Sequence, residues 1–336
     1  MVKVLKRIVF NDKQKVSLEN FDLPEVGEKE ILVKAELSQI SIGTEMTIFN
    51  HVFDSGTHWD EWVSYPFYPG YSVVGVAEAV GNAVKNIRPG DYVVHRGNHA
   101  SAAVVQSVNC YPIASGVSAE KAIWFSLAKI AAMGIYAANI KPGDCVFVIG
   151  AGPIGQMALR WALAVGAGDV ICCDNQAERL KMATAGGAAI ISAYISEALP
   201  GLASMTSGKM ADVVIDTTGN AEVFTAAQKA AKKFGKVIIL GDTGSPSKQN
   251  ISSAVITKGL KIIGAHDGHD TDEWNSAKII NLFFKLVKQD RFNLNELNTY
   301  FFSPEQCSEA YAMLNKSRSR AMGVFFDWRQ NKKKGF

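Results

Sequence analysis

The chain has 336 residues, of which 48% are hydrophobic, so it is long enough to bury more than one core. Its formal net charge at pH 7 is +3, close to balance, which argues against a nucleic-acid-binding surface. The most apolar stretch, residues 122–139, is interrupted by Lys129, so we predict no membrane span. The five cysteines are odd in number and scattered, and the first residues lack the apolar core of a signal peptide. These features predict a reduced, cytoplasmic protein.

The N-terminal third of the chain is predicted to be rich in β-structure. Candidate strands, separated by Gly/Pro turns, occupy residues 31–37, 73–80, 92–94 and 102–105. Between the first two strands, residues 47–68 carry seven aromatic side chains without a clear period. Such a segment is either a structured loop or lid, or an aromatic cluster that packs on the β-structure. The sequence leaves both interpretations open.

A glycine-rich turn follows the buried run at residues 146–149. Gly150, Gly152 and Gly155 have G-x-G-x-x-G spacing, and a helical pattern comes directly after them. Asp174 closes the next apolar run, about twenty residues further on. Strand, turn, helix and acid together form the dinucleotide fingerprint, whose glycines permit a tight turn, an approaching pyrophosphate and close helix packing. The alternative is a glycine-rich turn that binds no ligand.

The residues around this turn bear on the choice of cofactor. Pro153 and Ile154 open the helix, whose free N–H groups and dipole would face the phosphates. Asp174 can accept hydrogen bonds from both ribose hydroxyls, and its charge repels a 2′-phosphate. Asn175 adds no positive charge, and Arg179 is within reach of the ribose. We therefore predict that the cofactor is NAD and not NADP.

Strand and helix patterns alternate along the second half of the chain, after a largely helical stretch at residues 118–139. Candidate strands occupy residues 146–149, 170–173, 188–191, 213–216, 236–240 and 260–264, and candidate helices occupy 154–165, 177–185 and 221–233. This alternation predicts a parallel, doubly wound sheet. The pattern then changes to helices at residues 276–288 and 304–314 and a final strand at 321–328.

Several motifs, in this order along the chain, resemble the medium-chain dehydrogenase/reductase family of alcohol and polyol dehydrogenases. They are Pro142-Gly143-Asp144, the glycine-rich turn, Asp212-Val213-Val214-Ile215-Asp216-Thr217-Thr218-Gly219 and Gly235-Lys236-Val237-Ile238-Ile239-Leu240-Gly241. The resemblance implies an α/β fold with a GroES-like catalytic domain at residues 1–127 and a Rossmann domain at 128–265. Residues 266–336 would return to the catalytic domain, and a cleft would separate the two domains.

Further cofactor contacts are expected at the carboxyl ends of later strands. Thr217, Thr218 and Gly219 end one predicted strand, at the edge where open α/β sheets bind ligands. Gly241 and His266 follow the next two strands. We assign all five residues to the cofactor site, although loop polarity alone would also explain the histidine.

The chain departs from zinc-dependent members of this family at each expected metal ligand. Ile42 stands at the cysteine position, Tyr71 at the histidine position, and the third ligand position falls near Phe125. None of these side chains offers the thiolate, imidazole or carboxylate that zinc sites use. The family's structural zinc lobe is missing as well, since Cys110 is alone in that region. We therefore predict no metal site.

What remains is similar to a zinc-less branch that includes members linked to sugar metabolism and the hydroxyethyl-bacteriochlorophyllide dehydrogenase. Without zinc, side chains must move the alcohol proton. Thr44 matches the family's proton-relay position, Tyr71 would point into the cavity, and His99 supplies an imidazole, a common general acid or base. Glu45 is predicted to orient a neighbour or bind a substrate hydroxyl. Tyr71 could instead be a core aromatic and His99 a turn cap, so the proton-handling group stays open.

The prediction is a zinc-independent, NAD-dependent dehydrogenase of secondary alcohols such as sugars, polyols or their derivatives. Its partner would be a small-molecule substrate, with no nucleic acid or membrane, in a homodimer or homotetramer that pairs through residues 254–264. One alternative is a zinc-less enone or quinone reductase that prefers NADPH, against which Asp174 argues. The other is a non-catalytic cofactor-binding protein, against which Thr44 argues.

Overall fold

The structure is a computed structural model that describes residues 4–192 and 194–329. The chain divides into two compact units. Unit 1 contains the described residues up to His51, then Trp62–Ser126, and the described residues from Asn298 onward. Unit 2 contains Val52–Glu61 and Leu127–Leu297.

The described elements are numbered in chain order. The strands are β1 (Leu5–Asp12), β2 (Lys15–Phe21), β3 (Glu30–Gln39), β4 (Val73–Val80), β5 (Tyr92–His95), β6 (Ala102–Gln106), β7 (Cys110–Pro112), β8 (Cys145–Ile149), β9 (Asp169–Asp174), β10 (Ala189–Ser192), β11 (Ala211–Asp216), β12 (Ala231–Ile239), β13 (Lys261–Gly264), β14 (Asn298–Phe302) and β15 (Gly323–Asp327). The helices are α1 (Ile42–Asn50), α2 (His58–Trp62), α3 (Ala119–Ala122), α4 (Phe125–Ala138), α5 (Pro153–Ala164), α6 (Ala177–Ala185), α7 (Ile195–Met205), α8 (Ala221–Ala230), α9 (Ala254–Lys258), α10 (Ser276–Lys288) and α11 (Cys307–Lys316), with short 3-10 turns at Ser107–Asn109, Pro246–Lys248 and Pro304–Gln306.

Unit 1 is built on a mixed sheet with the order β14-β15-β3-β4-β5-β7, and β6 also pairs with β3. β14 and β15 are parallel, whereas the pairs formed by β3, β4, β5, β6 and β7 are antiparallel. β3 alternates inward and outward side chains, which places Ile31 and Val33 in a core with Ala77, Val93 and Cys110. This unit is the predicted β-rich domain.

Unit 2 contains a six-stranded sheet with the order β10-β9-β8-β11-β12-β13, and every strand pair in it is parallel. Counted from β8, this is the strand order of a Rossmann sheet, whose two halves diverge from the first strand. β8 is buried on both faces, with Phe147 and Ile149 in a core that α7 and α8 cover. The predicted doubly wound sheet is confirmed.

The aromatic segment at residues 47–68 is partly helical and divides between the two units. Phe49 lies on α1 and stacks with Tyr311 at a centroid distance of 5.4 Å in unit 1. Phe53 and Trp59 stack at 6.4 Å in unit 2. Aromatic packing therefore accounts for both halves, and the helix α1 is an element that the sequence analysis did not predict.

Several boundaries differ from the sequence predictions, among them the end of one helix and the point of return to the first domain. The predicted helix at 221–233 ends at Ala230, because Ala231 pairs with Ala211 in the sheet. The sequence also predicts a return to the first domain at residue 266, but in the structure that return begins at Asn298. Residues 266–297 stay with unit 2 because α10 packs there. The ring centroids of Phe283 and Phe292 are 5.2 Å apart, and those of Phe292 and Trp161 of α5 are also 5.2 Å apart.

One helical segment, Ala119–Ala138, is long and apolar enough to cross a membrane by length and composition alone. However, 78% of the relevant window is buried inside the protein, as expected for a core helix. Lys129 in this segment is also buried and forms ion pairs, described below.

Candidate active site

Two of the three fingerprint glycines are required by packing within unit 2. Gly150 has φ +92°, and a Cβ there would lie 2.8 Å from the Thr217 Oγ1 atom. A Cβ on Gly155 would lie 1.9 Å from the carbonyl oxygen of Gly150, so any side chain would push α5 away from the turn. These contacts explain the tight turn and the close approach of α5 to β8.

The middle glycine has no comparable packing requirement. A Cβ on Gly152 would meet only Arg179 Nη1, at 3.8 Å, among the described atoms. The backbone is therefore open at this point, directly before α5 begins at Pro153 and Ile154 with its free N–H groups. An open glycine at a helix N-terminus fits the pyrophosphate of a dinucleotide.

The acid that ends β9 is fixed beside this turn. Asp174 accepts hydrogen bonds from the Ala151 N–H through Oδ2 and from the Gln176 N–H through Oδ1, each at 2.7 Å. Asn175 next to it is exposed, and Arg179 on α6 is half-buried. The carboxylate is thus held in a defined position at the carboxyl edge of the sheet, as recognition of ribose hydroxyls requires.

The loops after β11 and β12 lie close together at the same edge. Thr217 Oγ1 donates to the carbonyl of Ile149 at 3.0 Å, and Thr218 Oγ1 donates to Asp216 at 2.7 Å. A Cβ on Gly241 would lie 2.5 Å from the Gly219 nitrogen, so glycine is needed for the two loops to meet. The structure therefore brings Thr217 and Thr218 to the glycine-rich turn, and Gly219 to the loop after β12.

A buried lysine, which the sequence analysis did not assign, fixes the loop after β13. Lys129 of α4 is 5% exposed and forms ion pairs with Asp267 at 2.9 Å and Asp270 at 2.8 Å. Further along this loop, the Trp274 indole donates to the Ala132 carbonyl at 3.3 Å. His266 begins the loop and is exposed, and its Nδ1 accepts from a backbone N–H two residues later.

Residues 52–61, here named the 52–61 segment, cover the loop after β12 within unit 2. The Asp54 N–H donates to the Gly244 carbonyl at 2.6 Å, and the Asp54 carboxylate accepts from Ser247 Oγ at 2.6 Å. His58 lies 2.8 Å from Asp242, directly after Gly241. The segment is therefore tied to the edge of the sheet that carries the predicted cofactor residues.

The side chains at the three expected zinc positions do not fit a zinc ion. Ile42 and Phe125 are buried and apolar, and Tyr71 is half-buried. Among residues 4–192 and 194–329, no group of three His, Cys, Asp or Glu side chains could hold a metal. Zinc bound here would lack the nitrogen, sulfur or carboxylate ligands that it requires.

A cluster of hydroxyl groups surrounds Tyr71, which stands at one of the expected zinc positions in unit 1. Tyr71 Oη and Ser41 Oγ are in close hydrogen-bonding contact, and the Thr44 hydroxyl also acts on the phenol by lowering its pKa. The Arg96 guanidinium carbon lies 5.2 Å from the centroid of the Tyr71 ring. Burial raises the pKa of Tyr71 above its ordinary value, although Ser41, Arg96 and Thr44 oppose that rise. The phenol is therefore protonated at neutral pH and able to donate.

His99 and Glu45 lie together in a second, fully buried network. His99 Nε2 is 3.1 Å from Glu45, and His99 Nδ1 is 2.7 Å from Ser38 Oγ, which also accepts from Trp328 at 2.8 Å. Glu45 accepts from the Tyr311 hydroxyl at 2.5 Å. Both ring nitrogens of His99 therefore have a hydrogen-bonding partner inside the network.

This network is joined to the hydroxyl cluster through the backbone. Glu45 also accepts from the Ser41 N–H at 2.7 Å, at the start of α1. His99 itself is 0% exposed, so it is not placed where a substrate could touch it. The structure thus groups Tyr71 with Thr44, and His99 with Glu45. Ser41 and Arg96 were not assigned from sequence, although Ser41 directly precedes Ile42 and Arg96 lies three residues before His99.

Two family descriptions match the chain. "Alcohol dehydrogenase GroES-like domain" matches residues 27–187, and "Zinc-binding dehydrogenase" matches residues 153–281, so together they span well over half of the chain. An L-threonine 3-dehydrogenase from Bacillus subtilis is 25% identical, over 88% of this chain and 91% of its own length. A sorbitol dehydrogenase from the same organism is 26% identical, over 70% and 75%.

Solved structures show the same fold at lower identity. Alcohol dehydrogenase TADH from Thermus sp. ATN1 is 22% identical and superposes with a TM-score of 0.78, covering 96% of this chain and 99% of that chain. Galactitol-1-phosphate dehydrogenase from Escherichia coli is 20% identical, with a TM-score of 0.82 and the same coverage.

Fold and family matches together define an alcohol dehydrogenase-like oxidoreductase with a GroES-like part and a Rossmann part. The chain belongs to the medium-chain dehydrogenase/reductase superfamily.

Proposed function

We propose that this protein is an NAD-dependent, zinc-independent dehydrogenase that transfers a hydride between a secondary alcohol and nicotinamide. The observation that carries the proposal is the hydroxyl cluster of Tyr71, Ser41 and Thr44 at the expected metal position, in a chain that keeps an open dinucleotide turn. Bound nicotinamide would supply the hydride acceptor or donor. The chain's own residues must then handle the proton and bind the alcohol.

The cofactor part of the proposal is supported by the turn around Gly152 and by Asp174. The Gly152 backbone and the N-terminus of α5 would bind the pyrophosphate, and Asp174 would accept hydrogen bonds from the ribose hydroxyls. A 2′-phosphate would meet the fixed carboxylate, which favours NAD over NADP. Thr217 and Gly241 would line the same edge, with His266 beyond β13.

Tyr71 is the proposed proton donor and acceptor. It is half-buried and hydrogen-bonded, and its raised pKa keeps it protonated, which suits donation to a carbonyl oxygen during reduction. Ser41 and Thr44 would relay the proton. His99 and Glu45 act as positioning residues in this proposal, since Glu45 holds the Ser41 backbone and both are buried.

The names of the relatives support a proposal for the substrate class. They carry the names of threonine, sorbitol and galactitol-phosphate dehydrogenases, and all of these substrates contain a secondary alcohol. We therefore propose a polyol, a sugar or a related secondary alcohol as the substrate of this chain, in the cytoplasm and without a nucleic-acid or membrane partner.

The proposed assembly is a homodimer or a tetramer of dimers that pairs through the edge of the unit 2 sheet. β13 is the last strand of that sheet, and nearby apolar side chains face outward. Ile256 is 86% exposed, Ile251 72% and Phe234 71%. An exposed apolar edge of this kind favours pairing with a second copy.

A turnover assay with a panel of polyols and sugars tests the function. Activity with NAD that exceeds activity with NADP and survives a chelator is the expected result. Turnover of enones or quinones with NADPH would establish the reductase alternative instead. Tight NAD binding without turnover of any substrate would favour a non-catalytic protein, and one zinc per purified chain would contradict the ligand argument.

A further inference from the structure

A guanidinium group is held against the phenol that stands in the place of a metal ligand. Arg96 follows β5, and its carbon Cζ lies 5.2 Å from the Tyr71 ring centroid. Arg96 Nη2 donates to Ser126 Oγ at 3.0 Å. Ser126 is fully buried at the start of α4, next to Phe125, which stands near the third expected metal ligand position. The cation is thus anchored by a polar atom within unit 1.

We propose that Arg96 supplies the positive charge that zinc provides in metal-dependent relatives, and that it acts through the Tyr71 phenol. The inference rests on the proposed function and deepens it. Arg96 is a positioning residue in this scheme, because it stabilises a charge on Tyr71 without touching the substrate.

The reaction step balances as follows. During reduction, the carbonyl carbon accepts a hydride from reduced nicotinamide, and the C=O π electrons move to the oxygen. That oxygen takes the Tyr71 proton, which leaves an alcohol and a tyrosinate. During oxidation, the tyrosinate takes the alcohol proton as the hydride leaves. In the reduction step a negative charge develops on Tyr71 as its proton passes to the substrate, and a nearby guanidinium stabilises that charge.

Some of the groups that face the phenol raise the pKa of Tyr71 and others lower it. Arg96, Ser41 and Thr44 lower the pKa of Tyr71, whereas burial and the Glu45 carboxylate raise it, and burial dominates. Removing the guanidinium should therefore raise the Tyr71 pKa further. Because Arg96 is exposed, solvent weakens the effect, and we expect about one pH unit.

The first test is a titration that needs no substrate. Tyrosinate absorbance is followed against pH, and the Tyr71→Phe protein serves as the blank that isolates Tyr71. In Arg96→Met the midpoint should move up by about one unit, and in Arg96→Lys most of the wild-type value should return. Arg88→Met, at another exposed arginine of unit 1, should leave the midpoint unchanged. If Arg96→Met does not fold, Ser126→Ala takes its place. This variant removes the hydrogen bond that anchors the guanidinium and should give a smaller upward shift of the Tyr71 midpoint.

The second test uses turnover. The alkaline rise of alcohol oxidation should shift by the same amount in Arg96→Met, with kcat reduced and KM nearly unchanged. An unmoved Tyr71 midpoint overturns the inference. A large rise in KM for acid-bearing substrates with intact kcat also overturns it, because Arg96 would then bind a substrate anion. If the midpoint moves but no alcohol is oxidised, the charge coupling stands and the proposed function fails.

Discussion

At the residue scale, Tyr71 differs from its neighbour Tyr68 in a way that predicts different roles. Tyr71 bonds Ser41 in the hydroxyl cluster, whereas the Tyr68 hydroxyl accepts from Arg7 at 3.2 Å. Tyr71→Phe should reduce turnover by about 10²–10⁴-fold, as expected for loss of a proton donor, while NAD binding persists. Tyr68→Phe should keep near wild-type turnover. Steady-state kinetics and a cofactor titration of both variants provide the measurement.

If Tyr71 handles the proton as proposed, the pH dependence of the reaction follows from the same phenol. Because burial raises the pKa of Tyr71, the donor form persists through neutral pH and the acceptor form appears only at alkaline pH. Carbonyl reduction should therefore be flat across neutral pH, and alcohol oxidation should rise toward alkaline pH.

His99 provides a contrasting prediction. Its ring bonds Ser38 and Glu45 and is fully buried, so His99→Asn should leave the pH profile of turnover unchanged in shape. The free energy of unfolding of the same variant should be lower by about 2 kcal/mol, because a buried polar partner of Glu45 is lost. Chemical denaturation and pH–rate profiles measure the two effects. Loss of a titration step with unchanged stability would restore His99 as the base.

His95 predicts an acid sensitivity of unit 1. It is buried in β5, and burial lowers its pKa to about 4. The unfolded chain binds this proton at its ordinary pKa of about 6.5, so stability is lost as pH falls from about 6.5 to about 4. Protonation of the unfolded chain at this residue lowers the free energy of unfolding by about 3 kcal/mol over this pH range. Thermal melts across this range should show a smaller loss in His95→Gln than in the wild type, and parallel losses would contradict the assignment.

At the element scale, the 52–61 segment should stabilise the loop that follows β12. Asp54 bonds Ser247 in that loop, whereas Asp60 bonds Gly56 inside the segment at 2.9 Å. Asp54→Ala should therefore raise hydrogen exchange in both the segment and residues 240–248. Asp60→Ala, the matched control, should raise exchange in the segment alone. Equal exchange of residues 240–248 in the two variants would show that the tie is unimportant.

Sequence patterns predicted some elements well and missed others for physical reasons. The strands of unit 2 were predictable because buried parallel strands are short apolar runs bounded by turns. α7 was missed because Pro200 and Gly201, both poor helix formers, lie inside it. α1 was missed because its buried face depends on contacts such as Phe49 with Tyr311, which are far apart along the chain.

The residues of the candidate site also include some that the sequence could predict and some that it could not. The glycine turn and Asp174 could be predicted because their spacing is local and their geometry is shared by many proteins. The bond from Tyr311 to Glu45 joins residues 266 positions apart, and no local pattern signals it. Ser41 and Arg96 were overlooked because a single hydroxyl or guanidinium has no periodic signature in the sequence. Only the fold brings them to Tyr71.

At the scale of the whole molecule, the exposed edge near β13 predicts assembly. Ile256 is 86% exposed on α9, next to the last strand of the sheet. If a second copy covers this edge, Ile256→Asp should produce a smaller species, because a buried carboxylate would lack a partner. Val108→Asp, at a 77% exposed apolar residue of unit 1, is the control and should not change the mass. Light scattering at micromolar concentration reports both, and a monomeric wild type would contradict the proposal.

The 52–61 segment has a further consequence for exchanging parts between members of the superfamily. Chimeras are easiest to make when a domain is one uninterrupted piece of the gene, and here the cofactor half is not. A graft of residues 127–297 alone would carry the glycine turn but leave behind Asp54 and His58, the partners of Ser247 and Asp242. A functional transplant of this Rossmann half therefore requires two coding fragments, and the shorter one comes from the part of the gene that otherwise encodes the catalytic half.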